Sequence, residues 1–389
     1  MKTVKTLYAH LNTAKDFGDK YPGLHFDDGK IHVLFLSACA NETSYYRLIL
    51  PALELNRTES HSAIVSDIHK WDFTKLFDDY DNPIDYRLVQ WADYVVMPVL
   101  FTDVSYIIRN MREINSKIEF IMDVDQNYHE LPDYHPDYKK LRQQLKDVFL
   151  ENFFKVDILT APNGSILNYY GHLAEQKTEE LELYLERYGS LLSPFTFEEM
   201  PQIQRNTSER VRIGLILDAS QAQDLKTIEQ PLRTLLGSHG ERVELVIYGW
   251  NERSIAHNSC LKGLPVIYEK PSFFFDYHTR LNNLTLDIGL LPFVNNAYNA
   301  TGKALQRYID FSSLMVPVIA TKMAPFDKLI SEGESGFVAT TDEEWLNRII
   351  QLVDDIQLRK DIGVYAHKQV WETYSYTPKA IQRLKSIFI

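Results

Sequence analysis

One stretch, Asp287 to Ala339, restricts the possible folds more than any other. It reads DIGLLPF, a polar loop VNNAYNAT, then GKALQRYIDFSSLM, VPVIAT and SEGESGFVA. The apolar runs Ile288–Phe293 and Val316–Ala320 are short and bounded by turn formers, as buried parallel strands are. Between them, Gly302 to Met315 has helical spacing, with Lys303, Arg307 and Asp310 at i, i+4 and i+7 on one face. A strand–loop–helix unit aims the helix N-terminus at the carboxyl edge of the sheet, where open α/β folds take ligands. Free backbone amides, a positive dipole end and Lys303 beside them would seat a phosphate. An ordinary βαβ unit with a solvated Lys/Arg stripe satisfies the spacing equally well.

The same alternation runs through the chain. Strands are expected at Ile31–Ser37, Ser62–Val65, Ala92–Val99, Ile118–Met122 and Asp157–Thr160, with helices at Ser44–Asn56, Val104–Ile114, Tyr138–Phe154 and Gly164–Gly171. Glu175–Glu186, rich in charge, reads as one more helix. Alternation of this kind with buried strands indicates parallel sheets covered on both faces. At 389 residues two domains are the natural division. The polar, aperiodic 201–210 is the expected linker between a first domain, 1–200, and a second, 211–372. After it come strands in RIGLILDAS, VELVIYGW and Leu264–Ile267, with a helix near Leu225–Leu236. A final amphipathic segment, 373–389, ends the chain.

Composition removes some functions. With 45% hydrophobic and 24% charged residues the chain is a globular protein, and a net charge of −12 without basic blocks argues against nucleic acid as partner. Cys39 and Cys260, far apart and without metal spacing, point to a reduced compartment. No apolar leader or long apolar run is present, so a cytoplasmic location is expected. The segment 139–155, KKLRQQLKDVFLENFFK, has basic and aromatic residues that would allow weak peripheral contact with an anionic membrane. Packing of that helix on the sheet is the other reading.

Several motifs in this order resemble GT-B glycosyltransferases, especially the retaining group 1, family 4-like transferases with a Glu-x7-Glu signature before a Gly-x-Pro-Val-Val strand. Asp310 stands where the second Glu would be, seven residues ahead of Pro317, while Gly302 occupies the place of the first. SEGESGFVA resembles the family's turn after its next helix, and the run from Asp342 with Leu358, Arg359 and Ala366 resembles its closing helices. In the first half, Tyr46, Arg47, Pro51 and Leu55 match a "Y-R-x-x-x-P-x-x-x-L" pattern, and FIMDVDQNYHELPDYHPDY resembles a "D-D…L-P-x-x-H-P" segment. Between 173 and 210 no correspondence is found.

The resemblance implies two Rossmann-like domains with parallel sheets facing a central cleft, and a final helix that crosses back to the first. It implies transfer of a sugar from a UDP-, GDP- or dTDP-linked donor to a glycan, lipid-linked or protein acceptor, with retention and no cofactor or metal. Thr301, Gly302 and Lys303 would seat the diphosphate, with Arg307 either reinforcing them or lying solvated. Asp310 would take the ribose hydroxyls or be a buried structural acid. Tyr298 and Asn299 would reach the donor sugar, and Asp218 and Ser220 lie at the mouth of the second domain's first loop. In LDASQAQDLKTIEQP the family's usual Arg/Lys pair is missing, and Arg253 is a reserve cation.

On the first-domain side Asp123 and Asp125 follow a strand and are the candidate catalytic acids. Asn41, Glu42 and Ser44 occupy the loop bordering donor and acceptor. Arg47 either lines the cleft or pairs with a core acid such as Asp123. Two other functions stay open: a degenerate subunit that binds a sugar or partner without turnover, and a nucleotide-sugar epimerase.

Overall fold

In the computed structural model, residues 24–37, 42–67, 86–176, 184–187, 189, 191–193, 202–250, 260–272 and 276–389 are described, with backbone alone for 37, 67, 184–187, 219 and 302–304. Among the described residues twelve strands form two sheets, all parallel in their pairings. The first contains β1 (Ile31–Ser37), β2 (His61–Asp67), β3 (Tyr94–Pro98), β4 (Glu119–Asp123), β5 (Ile158–Ala161) and β6 (Tyr184–Arg187) in the order β2-β1-β3-β4-β5-β6. The second contains β7 (Val211–Ile216), β8 (Val243–Tyr248), β9 (Val266–Glu269), β10 (Ile288–Leu291), β11 (Val318–Thr321) and β12 (Phe337–Ala339) in the order β12-β11-β10-β7-β8-β9. The doubly wound α/β expectation is met in both halves.

Each sheet buries its own core. Leu34, Val95, Phe120 and Leu159 from the first pack with Trp91, Phe149, Phe153 and Tyr170 from its helices. Ile213, Leu245, Ile288 and Ile319 from the second pack with Leu232, Trp345 and Ile349. Near-continuous apolar strands are what two covered faces require. Phe149 and Phe153 lie in this core with no exposed surface and are not available to a membrane, while Phe154 beside them is partly exposed. The helix there is also shorter than expected, Gln143–Asn152. Among the described residues no helix is long and apolar enough to cross a membrane.

Contacts divide the chain into one unit of Met1–His129, Leu141–Glu198 and Tyr376–Ile389 and another of Glu130–Lys140 and Glu199–Ser375. The C-terminal helix Pro378–Lys385 thus joins the first unit. There Tyr94 Oη donates to the Ile389 carbonyl at 2.6 Å, and the Phe388 ring packs edge-on to Tyr94 and Phe35. The short stretch Glu130–Lys140, expected in the first domain, belongs instead to the second unit. Tyr134 and His135 draw it there through partners more than 160 positions away.

The helix expected over 175–186 lies largely outside the described residues and is contradicted at its end. The backbone at Tyr184–Arg187 is the edge strand β6, paired with β5, and not part of a helix. ELELYLER alternates polar and apolar residues, a period of two that its charge content obscured. Two glycines set close packing in the second unit. A Cβ at Gly289 of β10 would come within 2.7 Å of the Phe311 ring, and one at Gly363 within 2.2 Å of the Met315 carbonyl. These approaches press the helix Ala304–Ser313 onto the sheet and the helix Ile356–Thr373 onto its end.

Candidate active site

In open parallel sheets, ligands bind beyond the carboxyl ends of strands at the place where strand order reverses. In the first sheet that place lies between β1 and β3, and in the second between β7 and β10. The candidate residues gather near these two edges, so each edge is described from its strands outward.

At the first edge, β4 ends on Asp123. Arg47 Nε donates to Asp123 Oδ2 at 2.9 Å and Nη2 to Oδ1 at 2.5 Å, while the Thr160 hydroxyl donates to Oδ1 at 2.7 Å. Both partners of the ion pair are buried, Arg47 to 1% and Asp123 to 2% exposure. The bidentate fork matches guanidinium to carboxylate and ties the helical segment after β1 to the end of β4. Arg47 therefore pairs with a core acid, and Asp123 is a structural partner where a free catalytic carboxylate was expected.

Asp125 lies two residues beyond. Its Oδ1 accepts from Tyr128 Oη at 2.6 Å and its Oδ2 from Thr43 Oγ1 at 2.9 Å. Burial pushes the Asp125 carboxyl above its ordinary range, and the neighbouring Asp123 acts in the same direction, against the two hydroxyl donors. Glu42 opens the short helix Glu42–Ser44, and Ser44 is buried. This helix leads into a π turn, Tyr45–Ile49, and then Leu50–Leu55 with Pro51 in its first turn. Asn41 lies outside the described residues.

At the second edge, the helix after β10 begins earlier than its spacing indicated. Helical backbone is in place at Ala297, and a π turn, Asn299–Lys303, precedes the α-helix Ala304–Ser313. Asn296 caps the start. Its Oδ1 accepts from the Asn299 amide at 2.9 Å, and its carbonyl from the Ala300 amide at 3.0 Å. The helical amides nearest the N-terminus are thus one turn ahead of Thr301. The Thr301 hydroxyl donates back to the carbonyls of Ala297 and Tyr298, at 2.9 and 3.1 Å. The Lys303 side chain is outside the described set, as is Arg253.

The residues before the turn serve as scaffold. Asn299 Nδ2 donates to Asp224 Oδ1 at 3.1 Å and to the Val294 carbonyl at 2.9 Å, and Asp224 Oδ1 also accepts from the Val294 amide at 2.8 Å. Asp224, buried at 2% exposure, thus ties the loop after β10 to the segment after β7. Asn296 Nδ2 donates to Tyr134 Oη at 2.8 Å, and Tyr298 Oη lies 3.4 Å from His135 Nε2. Asp218 caps the turn Ala219–Gln221, accepting from the amide and hydroxyl of Ser220, while Gln221 Oε1 accepts from the Asp218 amide.

Arg307 is not solvated. Its Nη1 reaches Asp310 Oδ2 at 3.3 Å and Tyr277 Oη at 3.2 Å, and its exposure is 7%. Asp310 has no exposed surface, and it accepts from Tyr277 Oη at 2.6 Å and from Gln306 Nε2 at 3.1 Å. Of the two alternatives open from sequence, this burial and these partners are what a structural acid would have. Next to Tyr277, burial pushes the His278 imidazole down to about 3. Among the described residues no group of three or more His, Cys, Asp or Glu side chains is placed to hold a metal ion.

No family model matches the sequence, and no curated protein matches it. Solved structures do match in fold. HepE from Anabaena, solved in complex with UDP and glucose, is 11% identical, with 92% of this chain and 98% of that one covered at a TM-score of 0.57. Sucrose-phosphate synthase from Thermosynechococcus elongatus is 8% identical over 92% and 98%, also at 0.57. TarM from S. aureus, solved with Fondaparinux, alpha-GlcNAc-glycerol and UDP, is 14% identical over 79% of this chain at 0.52. This chain spans 59% of the length of TarM. Two parallel-sheet α/β units in series, matched over nearly the whole of two such proteins, give the chain the fold of the GT-B glycosyltransferases.

Proposed function

We propose that the chain transfers a sugar from a nucleotide-sugar donor to a glycan, lipid-linked or protein acceptor, without a bound metal and with retention at the anomeric carbon. The observation that carries this reading is the GT-B fold with chemistry gathered near the switch point of each sheet. Fold alone would not suffice, because one fold hosts many activities. HepE was solved with UDP-glucose, and a UDP-linked donor is accordingly the first choice for this chain.

The donor is assigned to the second unit. There the helix starting at Ala297 offers its dipole end, and Lys303 is the cation for the diphosphate. Neutralising that leaving group supplies the main rate effect. The acceptor chemistry is assigned to Asp125 of the first unit. It takes the proton of the attacking hydroxyl as that oxygen bonds to the anomeric carbon on the same face from which the diphosphate departs, the electron pair of the breaking bond leaving on the phosphate oxygen. A carboxyl raised by burial is better matched to this task near neutral pH than an ordinary one.

A thermal-shift panel of UDP, GDP, CMP, dTDP and ADP tests the reading. UDP at about a hundredfold above its Kd should add about 2.7 kcal/mol of stability. UDP-glucose should then be consumed in the presence of EDTA, and Lys303→Ala should slow that by more than about threefold, ~0.7 kcal/mol. A panel in which no nucleotide stabilises the protein at millimolar concentration rejects the proposal. One observation favours a second reading, a sugar- or partner-binding module without turnover: Asp310 is wholly enclosed by Tyr277, Arg307 and Gln306. UDP binding with no donor consumption would select it.

A further inference from the structure

The carboxylate of Asp125 is held by two hydroxyls from separate elements. Tyr128 Oη approaches Oδ1 from the loop after β4, and Thr43 Oγ1 approaches Oδ2 from the helical segment after β1, 82 positions away in sequence. Tyr128 is itself fixed. Its amide donates to Tyr170 Oη at 2.8 Å, and its ring meets Phe101 and Phe149 edge-on at 5.1 and 5.7 Å. A carboxylate has about four acceptor directions, and the two hydroxyls together with the Asp125 amide take up three of them. By contrast Asp123, two residues earlier, is held by the Arg47 guanidinium and Thr160.

We infer that Tyr128 and Thr43 are positioning residues for Asp125, holding its carboxylate in one plane while leaving an acceptor direction for an incoming hydroxyl. This rests on the proposed role of Asp125 as proton acceptor. The terminal torsion of an aspartate is broad, so without two fixed donors its carboxylate would sample many planes. Loss of a well-oriented base costs rate even when the site is otherwise intact.

The same two hydroxyls tune its acidity. Both favour the charged carboxylate, Tyr128 more than Thr43, while burial and the adjacent Asp123 oppose them. The other ionisable groups around the site are Arg47 on Asp123, Tyr170 behind Tyr128, His129 in the same loop and Glu42 beside Thr43. Removing one hydroxyl donor should therefore move the proton affinity of Asp125 upward.

The test is the pH dependence of UDP release from UDP-glucose by the full chain. Tyr128→Phe should move the acid limb of kcat/KM to higher pH by about one unit, with KM for UDP-glucose within about twofold. Thr43→Val, which removes the longer bond, should move it the same way by less, and Asp125→Asn should abolish the limb together with most of the rate. A Tyr128→Phe profile that superimposes on the wild type, or a change confined to KM, overturns the inference. Wild-type protein that neither binds UDP nor releases it would instead reject the proposed function. In that case the carbon-13 carboxyl titration of Asp125, assigned through Asp125→Asn, still decides about the two hydroxyls: its midpoint rises in Tyr128→Phe or they do not hold the group.

Discussion

Each sheet edge carries a buried arginine–aspartate pair, and the two pairs are built differently. Arg47 and Asp123 are 76 positions apart and meet through both oxygens of the carboxylate. Arg307 and Asp310 are three apart on one helix and meet through a single nitrogen at 3.3 Å, with Tyr277 closer to the carboxylate than the arginine is. The first pair joins two elements that nothing local would bring together. The second decorates a helix that would form without it. A long-range fork is thus a fold constraint, whereas a local pair supported by a tyrosine and a glutamine is one a ligand can rearrange at small cost.

The largest expected effect would break this contrast if it failed. Arg47→Met leaves Asp123 buried with only Thr160 and should cost about 3–5 kcal/mol, the usual penalty for an orphaned buried charge. Arg307→Met should cost clearly less, because Tyr277 and Gln306 still donate to Asp310. Urea denaturation of both variants measures the difference, and equal losses would show that chain separation does not matter.

Proton binding sharpens the contrast next. At the first edge burial raises a carboxyl, Asp125, and at the second it lowers an imidazole, His278, to about 3. Unfolded His278 takes up a proton below about 6.5, whereas the folded one does so only near 3, so the folded state binds fewer protons between those values. Stability from this group is therefore lost as pH falls through that window, about 2 kcal/mol between pH 7 and pH 5. Asp125 has the opposite sign and partly masks the loss. In denaturation curves at the two pH values, His278→Phe should fall less on acidification than the wild type by about that amount. An unchanged difference would mean that His278 is protonated in the fold.

The smallest effect concerns Tyr277. Tyr277→Phe removes one donor from Asp310 and one acceptor from Arg307, and should cost about 1.5 kcal/mol, in the range of hydrogen bonds to charged groups. If UDP stabilises the variant as strongly as the wild type, the pair is scaffold alone. A changed UDP shift would place this cluster within reach of the ligand.

Much of the scaffold could be read directly. Runs such as HVLFLS, YVVMP, VELVIY and IGLL are apolar enough to be buried on two faces, and all are strands of parallel sheets. β6 is hard to read because its charged residues suit a helix face as well as an edge strand, where charge is common. The helix start at Ala297 was missed for a related reason. Asn296 caps it from within a run of small polar residues where several starts look equivalent, and the π turn shifts the periodicity by one residue.

Local pattern by itself determined most of the strands and helices in their order and the number of sheets, because burial on two faces and turn chemistry act over a few residues. Which carboxylate met an arginine and which met two hydroxyls was decided by tertiary structure alone. Arg47 and Thr160 converge on Asp123, Thr43 and Tyr128 on Asp125, and Tyr134 and His135 reach across to Asn296 and Tyr298. A buried polar group must find a partner wherever the folded chain supplies one, and that partner is seldom a neighbour in sequence.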